Sequence, residues 1–167
     1  MTNNWGGPSA RLRDSLLRNK QRIAIQKLRR DAGAILPETV EFRDAVASRK
    51  LNEKVLDQLH ERRPSERGEL LITRDEAKFK KTIGNYFAAR SDLWFDVFLA
   101  RWVETGALTA SGADLSGRVF DLLSFDGDSV YGSASDGGEV FLLDRTLGDE
   151  GVVLELFFFA STTLTSS

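Results

Sequence analysis

The sequence contains no cysteine. That absence removes disulfides, thiolate nucleophiles and cysteine-based zinc sites together. Histidine is represented once, by His60. A Ser-His-Asp triad would have to use that residue, and no Gly-x-Ser-x-Gly elbow accompanies it. The nearest segment, Gly132-Ser-Ala-Ser-Asp-Gly137, has the wrong spacing. His60 lies among charges near an expected helix end and reads as a surface histidine. The phosphate-cradling glycine patterns, Gly-x-Gly-x-x-Gly and Gly-x-x-x-x-Gly-Lys-Ser/Thr, are also missing. So are RNP, KH and zinc-finger signatures. Long apolar runs are lacking as well. The longest, Val152–Ala160, is interrupted by Glu155, and a spanning helix needs roughly 20 residues. There is no Asn-x-Ser/Thr acceptor, and the N-terminal stretch lacks the apolar core of a secretory signal. These absences predict a cytoplasmic protein that makes no use of a membrane, a cofactor or a metal.

Cations are scarce in the second half. Residues 82–167 hold 4 Lys/Arg against 13 Asp/Glu, a net −9, and the last lysine is Lys81. Residues 1–81 hold 19 Lys/Arg against 12 Asp/Glu, a net +7. A split of this size predicts attraction between the halves, within one molecule or between molecules.

The remaining composition is that of a globular protein, with 41% hydrophobic, 29% charged and 10% aromatic residues among 167. Chains of this length bury roughly 70% of their unfolded surface, enough for one domain with a core. We expect a single domain over 1–167, with a helical part at 9–106, a β-meander part at 117–160 and a frayed tail at 161–167.

After an irregular lead-in over residues 1–8, Ser9 is placed to cap a first helix, Ala10–Asp31, with Gly33 as its stop. At about 100° per residue, Leu12, Leu16 and Ile23 share one line. Leu17, Ala24 and Leu28 share another, and the two read together as a wide core-facing stripe. Arg11, Arg18, Arg22 and Arg29 gather on a different side. Pro37 opens a second helical unit, Glu38–Arg49, continued by Asn52–Arg62. Pro64–Gly68 reads as a polar loop. Thr73 and Glu76 have capping-box spacing, predicting a helix over Arg74–Thr105 closed by Gly106. Within it Trp94, Phe98 and Trp102 fall at four-residue steps, with Phe95 a quarter-turn away.

Beyond Gly117 the pattern becomes extended. Arg118–Phe125, Ser129–Ser133, Glu139–Arg145 and Val152–Ala160 are strand candidates separated by Asp-Gly and Gly-Gly turns. The expected fold is therefore α+β, with three to four N-terminal helices followed by a four-stranded antiparallel β-meander. Val152–Phe159 is apolar on both faces apart from Glu155. Such a strand is either central and covered on both sides or in contact with a partner.

Three functional readings follow. The first is a non-catalytic protein–protein interaction protein: an inhibitor, immunity, adaptor or assembly component. It would bind another protein or itself through charge complementarity and an aromatic-apolar patch. Its candidate residues are Arg11, Arg18, Arg22 and Arg29, with Trp94, Phe95, Phe98, Trp102, Phe157 and Phe159 as the apolar interface. The second is nucleic-acid binding along the same arginine stripe, which lacks the interleaved aromatics that single-strand binding uses. The third is a hydrolase using Asp126, Asp128 or Asp136 from the acidic cluster that also holds Glu139, Asp144, Asp149 and Glu150. Asp126-Gly127-Asp128 does not continue into a calcium loop, and these acids stand where hairpin turns require Asp and Gly.

Overall fold

The computed structural model describes residues 9–62 and 68–160. The expected lead-in, most of the Pro64–Gly68 loop and the tail fall outside the described residues. The architecture is α+β, with six α-helices and one seven-stranded antiparallel sheet among the described residues. In chain order the elements are α1 (Ala10–Ala32), β1 (Glu41–Phe42), α2 (Ala45–Arg62), β2 (Gly68–Thr73), α3 (Glu76–Ala88) and β3 (Trp94–Phe98). Then follow α4 (Trp102–Thr105), β4 (Leu108–Ser111), α5 (Gly112–Ser116), α6 (Val119–Asp126), β5 (Ser129–Ala134), β6 (Glu139–Gly148) and β7 (Gly151–Ala160). The strand order is β1-β4-β3-β5-β6-β7-β2. Strands from the 9–106 and 117–160 parts thus share one sheet.

The sheet has seven strands rather than four, and three segments differ from expectation. The anticipated helix Arg74–Thr105 is three elements: α3, β3 and α4. Asp75 caps α3, its side chain accepting from the Lys78 N–H at 3.1 Å, while Thr73 Oγ1 accepts from the Asp75 N–H. Residues 94–98 are strand because β4 and β5 pair with them from both sides. Phe95, Val97 and Leu99 face one core while Asp96 and Phe98 face the other way. The four-residue spacing of Trp94, Phe98 and Trp102 is a coincidence between a strand and the helix that follows it.

The anticipated helix over Glu38–Arg49 is also divided. Glu41–Phe42 pairs with Leu108–Thr109, and α2 starts at Ala45, where Asp44 Oδ1 accepts the Val46 N–H at 2.8 Å. From there α2 runs unbroken past Asn52. Leu70, Leu71 and Ile72 belong to β2, a full edge strand paired with β7. Arg118–Phe125 is helical, not extended: Val119, Leu122 and Leu123 are buried at three- and four-residue spacing, with Asp121 and Ser124 in solvent. Ser9, Gly33 and Gly106 occupy the expected cap positions.

Both faces of the sheet carry helices, although Leu70 and Ile72 of the edge strand β2 stay exposed. One core joins Leu28, Phe79, Ile83, Phe87, Phe95, Leu123, Phe141, Leu156 and Phe158 under α3, α5, α6 and the last turns of α1. The second lies beneath α2, where Val55 and Leu59 meet Phe98, Val140, Leu142, Phe157 and Phe159. The two-faced apolar strand β7 therefore runs between β6 and β2, with an apolar layer on each side.

A buried polar cluster fixes the junction of β1, β3 and β4. Asp96 is 2% exposed and accepts hydrogen bonds from Arg43 Nε, Thr109 Oγ1 (3.1 Å) and Ser135 Oγ (3.3 Å). The bond and charge of Asp96 raise the Arg43 pKa further above its ordinary value. Nearby, Ser48 Oγ donates to the Asp44 carbonyl and accepts from the Ala107 N–H, both at 2.8 Å. Gly106 has φ +80°, and a Cβ there would lie 2.0 Å from the Arg43 carbonyl oxygen, so only glycine lets these segments meet.

Removing one member of a buried ion pair costs about 3–5 kcal/mol. Arg43 keeps solvent access, so we expect Arg43→Met to cost less, about 2–3 kcal/mol. Urea denaturation should show that loss, and a change below about 0.5 kcal/mol would mean that Asp96 does not depend on its partner.

Candidate functional site

The arginine stripe and the two apolar lines expected of the first helix all lie on α1, and α1 is unevenly packed. Its C-terminal part is tied down. Leu28 and Ala32 are buried. Gln21 Nε2 donates to the carbonyls of Arg43 (2.9 Å) and Thr105 (3.1 Å). Arg101 pairs with Asp31 at 3.4 Å. Arg29 donates to the Val40 carbonyl, and its guanidinium carbon sits 5.5 Å from the centre of the Phe42 ring. Residues 9–20, by contrast, are exposed throughout.

The four arginines therefore divide. Arg11 and Arg18 stand in solvent, and Arg22 is exposed with one bond to Asn19 Oδ1 at 2.9 Å. Arg29 is drawn into the body and serves as a tether. The apolar lines divide as well. Leu28 of the Leu17–Ala24–Leu28 line packs into the core, whereas Leu12, Leu16 and Ile23 remain 50%, 49% and 54% exposed. The two lines lie about 120° apart around the helix. A single packing contact at one end of α1 covers only one of them, so the expected single core-facing stripe does not form.

Leu17 is also exposed, and it borders a groove of about 770 Å³ beneath α1. Val46 of α2 and Val103 of α4 are its other apolar walls, with Arg18, Lys20 and Arg49 facing Asp14, Asp44 and Glu104 around the rim.

The aromatic candidates are mostly interior. Phe95 belongs to the first core, and Phe98, Phe157 and Phe159 to the second. Trp102 packs its ring edge-on against Phe98 at 5.4 Å. Trp94 alone of the six is exposed. They are not brought together with the arginines as one patch.

Among the acids, Asp128 is exposed and pairs with Arg145 at 3.4 Å. Asp136 closes a turn by accepting the Gly138 N–H at 2.8 Å. The Asp126 side chain lies outside the described set. No cluster of three or more His, Asp or Glu side chains suited to a metal occurs among the described residues. His60 is exposed on α2.

A second concavity, of about 440 Å³, contains the Tyr86–Arg90–Glu139 group. Tyr86 donates its hydroxyl to Glu139 Oε2 at 2.6 Å, and Arg90 Nε donates to the same oxygen. The Tyr86 ring stacks on Phe158 at 3.6 Å, with the Arg90 guanidinium 3.9 Å from the ring centre on the same side chain. These groups bond chiefly to one another and brace α3 against β6 and β7. Burial, reinforced by the Glu139 carboxylate, raises the Tyr86 pKa well above its ordinary value.

No protein-family model matches the chain, nor does any curated protein or solved structure. The candidate site thus rests on geometry. It is α1 with its outward apolar line Leu12–Leu16–Ile23, the cations beside that line and the groove beneath. Sequence reasoning assigned those three aliphatics to the core. The signal against that assignment was the presence of cations on both sides of the line: Arg11, Arg18 and Arg22 on one, Arg13, Lys20 and Lys27 on the other. No helix is long and apolar enough to cross a membrane among the described residues.

Two outcomes follow. Because Leu12, Leu16 and Ile23 lie outside the core, the triple variant Leu12→Gln/Leu16→Gln/Ile23→Gln should change stability by no more than about 0.5 kcal/mol per site. Leu28→Ala on the same helix should cost about 2–5 kcal/mol. Equal losses in urea titrations would return the outward line to the core. A raised folded-state pKa means that the Tyr86 contribution is complete below the unfolded value of about 10 and is lost as pH rises beyond it. The urea midpoint should therefore fall between pH 9 and pH 11, and fall less in Tyr86→Phe. Identical pH profiles would show that Tyr86 carries none of the dependence.

Proposed function

We propose that the protein is a non-catalytic interaction protein that docks a protein partner on α1. The observation that carries this reading is the uncovered outward line of α1. Leu12, Leu16 and Ile23 are each about half exposed on a helix held to the body only by its other face. Helices in proteins draw most of their stability from packing an apolar face, and three large aliphatics kept in solvent on one line mark a contact surface. The charge around the line fits the same reading, because α1 carries eight Lys/Arg and two Asp. Inhibitor, immunity, adaptor and assembly roles share this physical basis.

Nucleic-acid binding by the same helix is less well supported. A phosphate backbone uses the cations but leaves an apolar line at their centre without a role, and no aromatic side chain lies among them for base stacking. A carboxylate-dependent hydrolase is supported only by exposed turn acids.

Site-specific photo-crosslinking tests the reading. With p-benzoylphenylalanine in place of Leu16, we expect a discrete adduct in cells of the native host. The adduct should be absent when the probe replaces exposed Lys54 on α2 and lost when Ile23→Gln is added. An adduct of twice 18.6 kDa would identify a second copy as the partner, and any other discrete protein mass a different chain. Adducts removed by nuclease, or none at position 16, would overturn the proposal.

A further inference from the structure

The outward line of α1 has a four-three-four spacing: Leu12, Leu16, Asn19, Ile23. That is the alternation of d and a positions in a heptad repeat, with Leu12 and Asn19 at d and Leu16 and Ile23 at a. The assignment places Leu28 and Gln21 at f and Ala24 at b. These are the positions turned towards the body, where Leu28 is buried and Gln21 bonds two carbonyls. The same heptad frame therefore separates the packed face from the uncovered one.

The flanking e and g positions decide what fits. The e positions are Arg13, Lys20 and Lys27, and the g positions are Ser15, Arg22 and Arg29. Five of the six are cationic and none is acidic. Arg29 is engaged with Val40, but Arg13, Lys20, Arg22 and Lys27 are all exposed and make no ion pair with an acid among the described residues. In a two-stranded coiled coil these positions flank the apolar seam and choose the partner. A second copy of α1, parallel or antiparallel, would bring cation against cation along the seam, and like charges so placed disfavour pairing. Among its described residues the acidic half of another copy offers no matching helix either. Its longest described helix, α6, buries Val119, Leu122 and Leu123 in its own core.

Resting on the docking reading above, we propose that the outer face of α1 is one strand of a heterotypic two-stranded coiled coil. Its occupant is an acidic amphipathic helix of another protein, with aliphatic residues at a and d and Glu at e and g. Asn19 sits in the seam and sets the register, selecting a partner with a polar residue opposite it. The apolar seam is short, and the charges supply the specificity.

The test uses the intact chain and three synthetic helical peptides of three heptads. One has Ile/Leu at a and d, a single Asn in the seam and Glu at e and g. A twin carries Lys at e and g. The third has the acidic composition with its heptad order scrambled. By fluorescence anisotropy in 50 mM salt, the ordered acidic peptide should bind with a Kd on the order of 10 µM. It should weaken about tenfold in 500 mM salt as the flanking charges are screened. The Lys twin and the scrambled peptide should bind at least tenfold more weakly. Leu16→Gln/Ile23→Gln should abolish binding, and Lys20→Glu/Arg22→Glu/Lys27→Glu should transfer preference to the Lys twin. Equal binding of ordered and scrambled acidic peptides would reduce the face to a general anion surface and overturn the proposal. So would tighter binding, sensitive to the same substitutions, to phosphatidylserine vesicles or to single-stranded DNA. Failure of all three peptides alongside a specific Leu16 crosslink would reject the acidic helix while leaving the docking reading in place.

Discussion

The sheet has two apolar faces, and each needs a helical layer over it. β6 places Phe141 and Leu143 on one side and Val140 and Leu142 on the other, and β7 repeats the division with Leu154, Leu156 and Phe158 against Phe157 and Phe159. An antiparallel sheet with one wet face would alternate apolar and polar residues. Here each helix is committed by that requirement. α2 is held over the second face, α3, α5 and α6 over the first, and α1 reaches the body only at the margin of the first core. Once both faces are filled, little apolar surface remains for the N-terminal half of α1 to cover, and its outward line stays in solvent.

The polar interior is concentrated where the segments are shortest. β1 has two residues and could not be held by its own ladder bonds. The Arg43–Asp96 pair, the Ser48 bridge and the close passage at Gly106 supply the missing fixation. This is a use of buried charge for geometry rather than for stability, since ion pairs removed from water gain little net free energy. The same junction receives the two Gln21 bonds from α1, so the angle at which α1 leaves the body is set there.

Local signals were legible where local physics decided the outcome. Ser9 as a cap, Gly33 and Gly106 as stops, and the Asp-Gly turns around β5 follow from backbone chemistry near each residue. The three C-terminal strands likewise appear in the short apolar runs of their own segments, bounded by glycine-containing turns. What was hidden depended on distant partners. Residues 94–98 read as helix because Asp96, a charged residue inside a buried strand, finds its cation 53 positions away. Glu41–Phe42 read as helix because their ladder partner lies in β4. Residues 118–125 read as strand because a short, very apolar helix resembles one by composition, and only the exposure of Asp121 and Ser124 separates them. At the site, the arginines were visible in the sequence. The role of Leu12, Leu16 and Ile23 was not, because periodicity marks an apolar face without saying whether anything stands opposite it.

β2 pairs along its whole length with residues 154–159 of β7, across about half of the chain. Until that later segment has been synthesised, Gly68–Thr73 has no neighbour in the sheet, and the core beneath α2 lacks Phe157 and Phe159. The nascent chain thus carries an open strand until β7 has been made. Non-local pairings of this kind are formed late and slowly, and unpaired strands are where incomplete chains associate. The architecture therefore ties solubility during biogenesis to completion of one hairpin, and makes premature termination before residue 151 far more damaging than the few strands lost would suggest.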